Sequence, residues 1–381
     1  MTLYRKAAIA GVAESRLGIV PDETVLMMQA QAARDALADA GIDKRQVDGL
    51  FCAGRWGRTH QLEIAEYLGI DPHYSDGTLV GGSSFLYHLG HAAAAMNAGL
   101  CKVALILYGS IQRSRRERTL AMPDHRLSFQ YEGPYGIPYP VGPYALAAAR
   151  HMYQYGTTRE QLAEVAVAAR KWAMLNPKAF KREPLTIDDV LASEPVADPL
   201  HRLDCCLITD GGGAVVVVAP EIARDLKKKP VWLLGHGEAQ SHMLISQMKD
   251  LTVSPAKAAG KRAFEMAAMT PSEIDVTQIY DSFTITVLLT LEALGYCKPG
   301  ESGAFVSNGR IAPGGDFALN TSGGGLSYCH PGMFGIFLII EAVRQLRGEC
   351  GDRQVAKNRT ALISGTGAIL SSNATCILAR D

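Results

Sequence analysis

Residues 318–335 read ALNTSGGGLSYCHPGMFG, and they gather reactive side chains on a flexible stretch. Asn320 brings an amide, Tyr328 a phenol, Cys329 a thiol and His330 an imidazole. Glycines at 323, 324 and 325 let the backbone approach a ligand closely. Gly332 then leads into a predicted helix over 333–347. Backbone N–H groups and a histidine brought together at a helix N-terminus suit an oxyanion or an enolate. The plainer alternative is a packing turn with a capping histidine. A second stretch, Ile279-Tyr-Asp-Ser-Phe283, follows a predicted strand, and strand ends are where α/β folds place their sites. A third, Ile363-Ser-Gly-Thr-Gly-Ala368, is a glycine turn after an apolar run; it is either a simple tight turn or part of the same pocket.

Other residues carry less. His88 and His91 lie one turn apart on an Ala-rich helix with no third ligand in view, so they read as core or interface histidines and no metal is expected. Cys205-Cys206 precedes a strand and reads as buried, and Asp210 before three glycines reads as a turn. The run Arg113–Arg118 is a solvated loop or a contact for an anion such as a nucleotide phosphate. Trp56 with Arg55 and Arg58 could face a partner or a pocket mouth.

These residues need a scaffold, and composition bounds it. At 381 residues the chain is long enough for two or three units or one large α/β body. Lys+Arg and Asp+Glu are equal at 38 each, which gives no field for nucleic acid or an anionic membrane. No apolar stretch reaches ~18 residues, so no membrane span is expected, and no signal peptide is visible. The eight cysteines form no CxxC, which points to a reducing cytoplasm with mostly buried thiols. Short apolar runs at 103–107, 214–218 and 231–234 read as buried strands, and 24–40 and 86–98 carry helical spacing. Strands and helices interleaved in this way favour a layered α/β fold.

A weak repeat organises the chain. RDALADAGIDKRQVDGLF (34–51) and KRAFEMAAMTPSEIDVTQIY (261–280) each read as helix, acidic turn and strand, with Ala36 to Asp48 spaced as Ala263 to Asp275. Residues 111–200 interrupt the pattern with Pro, Tyr, Arg and Gly and read as an insertion. Helices are expected there around 142–155 and 158–176, the second opened by a Thr capping box. Long insertions commonly carry binding surface.

Taken together the motifs resemble the thiolase superfamily, along essentially the whole chain. NTSGGGLSYCHPGMFG is similar to the thiolase Asn-x-x-Gly-Gly…Gly-His-Pro segment, YDSF to the segment upstream of it, and SGTG to the C-terminal Cys-x-Gly turn. PLHRLDCCLITDGGGAVVVV resembles the close of the first half in the sterol-carrier-protein-type branch. The resemblance implies an α/β thiolase fold: two duplicated βαβαβαββ halves, a five-layer αβαβα body and a loop-domain insertion. The halves would be 1–230, holding the insertion at about 111–200, and 231–381. It also implies a homodimer.

The departures from the family set the chemistry. Thiolases attack with a cysteine at the start of the first half's helix; here that place falls on Val80, Gly81 or Gly82 in DGTLVGGSSF, and no cysteine is present. Ser83 and Ser84 are near, but nothing marks either as an activated nucleophile. Ser364 stands where the second thiolase cysteine works as an acid/base, and a hydroxyl cannot cycle protons near neutral pH. Tyr280 stands where a histidine is usual. What remains is the part that stabilises a thioester enolate. A Claisen cleavage needs a nucleophile for the β-keto carbon; a retro-aldol needs only a base for the β-hydroxyl proton. The pattern therefore resembles the thiolase-type aldolases that shorten steroid side chains, which cleave a β-hydroxyacyl-CoA to acetyl- or propionyl-CoA and a ketone or aldehyde.

On that resemblance Tyr280 and Tyr328 are expected as acid/base groups, and His330 and Asn320 as holders of the enolate oxygen, with Asp281 orienting Tyr280. Gly323, Gly324, Gly367 and Ser83 are expected to line the site for a coenzyme A thioester, the substrate. No bound cofactor is expected, and a small OB-fold, zinc-ribbon acyl-CoA-binding subunit is the expected partner. Two rivals stand beside it: an acyltransferase with a displaced nucleophile such as Cys329, and a silent thiolase-like subunit of a complex.

Overall fold

The computed structural model describes residues 2–54, 59–115 and 127–381, so Arg55, Trp56, Arg58 and residues 116–118 of the basic run lie outside the described residues. Twelve strands are present among them: β1 (Ala8–Glu14), β2 (Gly49–Cys52), β3 (Tyr74–Asp76), β4 (Val103–Ser110), β5 (Pro195–Ala197), β6 (Leu200–His201), β7 (Gly211–Val218), β8 (Val231–Gln240), β9 (Val276–Ile279), β10 (Ala318–Leu319), β11 (Thr360–Gly367) and β12 (Ser372–Ala379). All but β5 and β6 join one sheet, in the order β10-β9-β11-β12-β8-β1-β7-β4-β2-β3. Read outward from the β8–β1 contact, the two sides have the same order. On one side it is β1, β7, β4, β2, β3; on the other β8, β12, β11, β9, β10. The junction is short, with Ala8 opposite Trp232 and Ile9 opposite Val231.

The strands are buried on both faces because helices cover them. Helix Val25–Ala40 packs on β1, β4 and β7, and helix Ala256–Ala267 on β8, β11 and β12. Helices Ser84–Asn97 and Gly335–Arg347 lie between the two half-sheets and touch each other and strands of both sides. The result is a helix–sheet–helix–sheet–helix stack.

The repeat in the sequence has structural counterparts. A Cβ on Gly11 of β1 would fall 2.1 Å from the Ala36 carbonyl oxygen, and a Cβ on Gly235 of β8 2.1 Å from that of Ala263, so both outer helices sit directly on glycine backbone. Asp48 accepts from the amides of Lys102 and Val103 at the start of β4. Asp275 accepts from those of Arg359 and Thr360 at the start of β11. Each acidic turn fastens the same crossing.

Helix ends follow local chemistry. Thr24 caps the first helix through the Met27 amide, and Gly41 ends it in the left-handed region at φ 68°. In the insertion, Thr158 and Gln161 form the capping box of helix Arg159–Met174. The helix expected over 333–347 starts at Gly335. Gly332 at φ 92° turns the chain, and the Met333 amide goes to the Tyr108 hydroxyl at 3.1 Å instead of to a helical carbonyl. No helix among the described residues is long and apolar enough to cross a membrane.

Candidate active site

β9 ends at Ile279, and the residue after it, Tyr280, points its phenol at the turn that precedes helix Gly335–Arg347. Its hydroxyl is 2.7 Å from Nε2 of His330. The two rings stack at 5.6 Å and 13°, and Phe334 stacks on Tyr280 at 5.8 Å and 15°. Both polar residues are buried. Burial pushes the His330 imidazole down to about 4, against the pull of backbone acceptors at His330 and Leu207, so the ring is neutral near pH 7. Burial likewise raises Tyr280 well above the usual phenol range, with Cys206, Tyr144 and Tyr108 adding to it. A neutral imidazole bonded to a backbone carbonyl presents an acceptor on its other nitrogen. The phenol of Tyr280 is the donor that meets it.

His330 is gripped through its backbone as well. Its N–H donates to Thr209 Oγ1 at 3.0 Å, and its carbonyl accepts from the Thr209 amide at 3.2 Å and from Gln112 Nε2 at 3.1 Å. The Tyr108 hydroxyl donates to the Pro331 carbonyl. Segment 205–210 thus runs across the site as an extended strap, also bonded to Ser282 and Gly325. Asp210 closes it, buried, accepting from the amides of Val20, Arg113 and Ser114.

Asp281 lies on the other face of the turn. Its carboxylate accepts from the Gly325 amide at 2.6 Å and the Leu326 amide at 3.2 Å. Burial raises it to about 7, and those amides pull the other way. Gly324, at φ 61°, leaves the carboxylate its place, since a Cβ there would fall 2.0 Å from Oδ2. Asp281 therefore shapes the glycine turn: it bonds the Gly325 and Leu326 amides and Asn320, while the Tyr280 hydroxyl goes to His330. Asn320 sits in the left-handed region at φ 50°, and its Oδ1 accepts from the Ile279 amide at 2.7 Å. It ties the end of β9 to the turn.

The remaining expected residues fall in several places. Tyr328 sets its ring edge-on to Phe337 at 6.1 Å and to Phe334 at 6.5 Å, so Phe334 lies between it and the Tyr280–His330 pair. Cys329 is fully buried, and burial, then Glu14 and Asp281, hold its thiol well above the ordinary value. Gly323 packs on Ala173 of the insertion. Insertion residues hold the turn in place: Arg170 Nε donates to Ser327 Oγ at 2.9 Å, and Asn176 Nδ2 to the Ser322 carbonyl at 2.9 Å. Ser83 Oγ pairs with Ser372 Oγ at 2.7 Å. Gly367 packs on the Val80 carbonyl, where a Cβ would fall at 1.9 Å. No group of three His, Cys, Asp or Glu side chains among the described residues is arranged to hold a metal ion.

Sequence reasoning missed Phe334, Tyr108 and Thr209. Phe334 and Tyr108 look like ordinary apolar residues, and Thr209 grips only the His330 backbone, so none left a signal. Gly82 entered only as one of three places for the missing cysteine, and its contact with Tyr280 was not foreseen. A Cβ there would fall 2.3 Å from Cε1 of Tyr280.

Residues 237–380 match the family described as Thiolase C-terminal domain-like. Across the whole chain, an acetyl-CoA acetyltransferase of Methanothermobacter thermautotrophicus is 32% identical over 380 residues, covering 95% of this chain and 97% of the relative. A steroid side-chain-cleaving aldolase of Thermomonospora curvata is 33% identical over 379 residues, covering 95% of each. The solved Ltp2-ChsH2(DUF35) aldolase superposes with a TM-score of 0.90 at 31% identity, covering 100% of this chain and 99% of that one. The chain belongs to the thiolase superfamily and has its fold. Within it, relatives named as acetyltransferases and relatives named as aldolases lie at similar distance.

Proposed function

We propose that this chain is a carbon–carbon lyase that cleaves a β-hydroxyacyl-CoA by retro-aldol chemistry. The observation that carries this is the 2.7 Å phenol–imidazole pair of Tyr280 and His330. In the forward step the Tyr280 oxygen takes the β-hydroxyl proton while its own proton passes to Nε2 of His330. The bond between the α and β carbons breaks. The β carbon leaves as a ketone or aldehyde, and the electron pair remains as a thioester enolate. The proton returns from His330 through Tyr280 to the α carbon, giving acetyl- or propionyl-CoA, and the proton count closes. Asn320, Asp281 and the turn at Gly323 and Gly324 hold the Tyr280–His330 geometry, the turn's amides being taken up by Asn320, Ser322 and Asp281. Tyr328 is a more distant support of the turn. Ser83 and Gly367 form the wall beside Val80 that the thioester would meet.

The similarity to a steroid side-chain-cleaving aldolase supports a bulky, steroid-like acyl group, and the two-component name of the matched aldolase supports a partner subunit of the small OB-fold, zinc-ribbon kind. A homodimer and a cytoplasmic setting complete the reading, the latter supported by the free cysteines of the described residues. The acetyltransferase relative favours one rival, thiolytic acyl transfer through Cys329. A thiol held protonated by burial is a poor nucleophile.

The test is product analysis. The purified chain, alone and with a co-expressed partner, is incubated with β-hydroxyacyl-CoA thioesters that include steroid side chains. Release of acetyl- or propionyl-CoA with a ketone or aldehyde, independent of free CoA, is expected. Cleavage of β-keto substrates alone, with free CoA required, would overturn the reading.

A further inference from the structure

Gly82 is buried directly before helix Ser84–Asn97, and its identity is not explained by its backbone. Its neighbour Gly81 has φ 84°, a conformation that favours glycine; Gly82 does not lie in that region. Space explains it. A Cβ on Gly82 would fall 2.3 Å from Cε1 and 2.8 Å from Cζ of Tyr280, and 2.8 Å from the Thr366 carbonyl oxygen. Side-chain carbons do not approach rings that closely. The ring cannot swing away cheaply, since it is buried, stacked on His330 and Phe334 and bonded to His330 Nε2. Gly82 cannot retreat either, because its own carbonyl oxygen would be 2.2 Å from a Cβ on Gly335, where the two central helices begin.

We propose that Gly82 decides the reaction class of this site: the volume before helix Ser84–Asn97 takes either a side chain on residue 82 or the phenol of Tyr280, never both. With glycine there, the phenol reaches His330 and the site runs proton chemistry. With a thiol at 82 and a small residue at 280, the sulfur would occupy the vacated volume beside His330. It would then attack an acyl-CoA carbonyl. A new carbon–sulfur bond would form to residue 82, the bond to CoA would break, and the thiol proton would travel through His330 to the CoA sulfur. This inference rests on Tyr280 being the acid/base group.

Four proteins test it: wild type, Gly82→Cys, Tyr280→Ala and the double variant. Each is measured for melting temperature, for C–C cleavage, and by intact mass after incubation with acetyl-CoA. Gly82→Cys alone is expected to melt well below wild type, to lose cleavage by roughly 100-fold or more, and to gain no acetyl group. In the Tyr280→Ala background the same change should lower the melting temperature much less, and the double variant should carry one acetyl group per chain. Equal melting losses in both backgrounds, or failure of both cysteine variants to fold, would mean that the Thr366 carbonyl excludes the side chain, and would overturn the proposal. So would a Gly82→Cys protein that cleaves and melts like wild type. If Tyr280→Ala cleaves normally while the melting losses still depend on residue 280, the steric exclusion stands and the acid/base role of Tyr280 fails.

Discussion

Two histidine clusters lie at the two central helices, and their chemistry is opposite. His330, before helix Gly335–Arg347, is surrounded by aromatic rings and one phenol, and burial drives it down to about 4. His91, on helix Ser84–Asn97, has its Nδ1 2.5 Å from Asp76 and its Nε2 3.4 Å from Glu238. Those carboxylates raise it to about 9. Nearby His236 and His88 are pushed down to about 4 by burial. The same side chain is thus a fixed cation in one place and a neutral proton acceptor in the other. Depth sets the first difference, since fully buried His88 stays neutral beside the same Asp76 that, with Glu238, holds the half-buried His91 charged.

The largest contrast should come from removing each imidazole. His330→Gln is expected to lower kcat by about 100- to 1,000-fold with a small change in KM, since an amide can accept the phenol's hydrogen bond but cannot take its proton. His91→Gln should leave kcat within about threefold, as most changes outside a site do. Parallel steady-state kinetics on one β-hydroxyacyl-CoA check both, and a His91→Gln enzyme as inactive as His330→Gln would erase the distinction between the clusters.

The next effect is in the pH dependence of activity. Asp281 is raised to about 7, and it holds the Gly325 and Leu326 amides. The carboxylate that shapes the glycine turn is therefore expected to form as pH rises through about 7, and kcat/KM should show an inflection there. Asp281→Asn should remove the inflection; its survival would assign it to another group.

The smallest effect is on stability, and its sign separates the clusters. The folded value of His91 lies above the ordinary one near 6.5, so its stabilisation is whole below about 6.5 and fades as pH rises through about 9. His330 lies below the ordinary value, so its contribution is present above about 6.5 and is lost as pH falls toward about 4. Wild type should exceed His91→Gln by about 1–2 kcal/mol at pH 7, discounted for partial exposure of the pair, and the gap should narrow by pH 10. Thermal melts across pH read this directly.

Much of the fold was legible because it is written twice. Ala36 and Asp48 recur as Ala263 and Asp275 because each pair does the same job, resting a helix on a glycine strand and fastening the start of a crossing strand. His330 and Tyr280 stood out as polar residues after a strand and in a glycine turn, and the structure brings the two together. The directions of side chains were not legible. Nearby residues on the turn diverge, so Tyr328 sets its ring edge-on to Phe334 and Phe337 while His330 bonds Tyr280. Asp281 and Tyr280 are neighbours in sequence, yet one bonds the turn backbone and the other an imidazole. Gly82 owes its meaning to a ring far along the chain, which no local pattern records.

The most direct measurement is the rate of C–C cleavage by Tyr280→Phe and Cys329→Ala on the same β-hydroxyacyl-CoA, with no free CoA added. The Tyr280–His330 account predicts that Tyr280→Phe folds like wild type and loses about 100- to 10,000-fold in kcat, while Cys329→Ala stays close to wild type. A Tyr280→Phe enzyme near full activity, with Cys329→Ala inactive but folded, would contradict it.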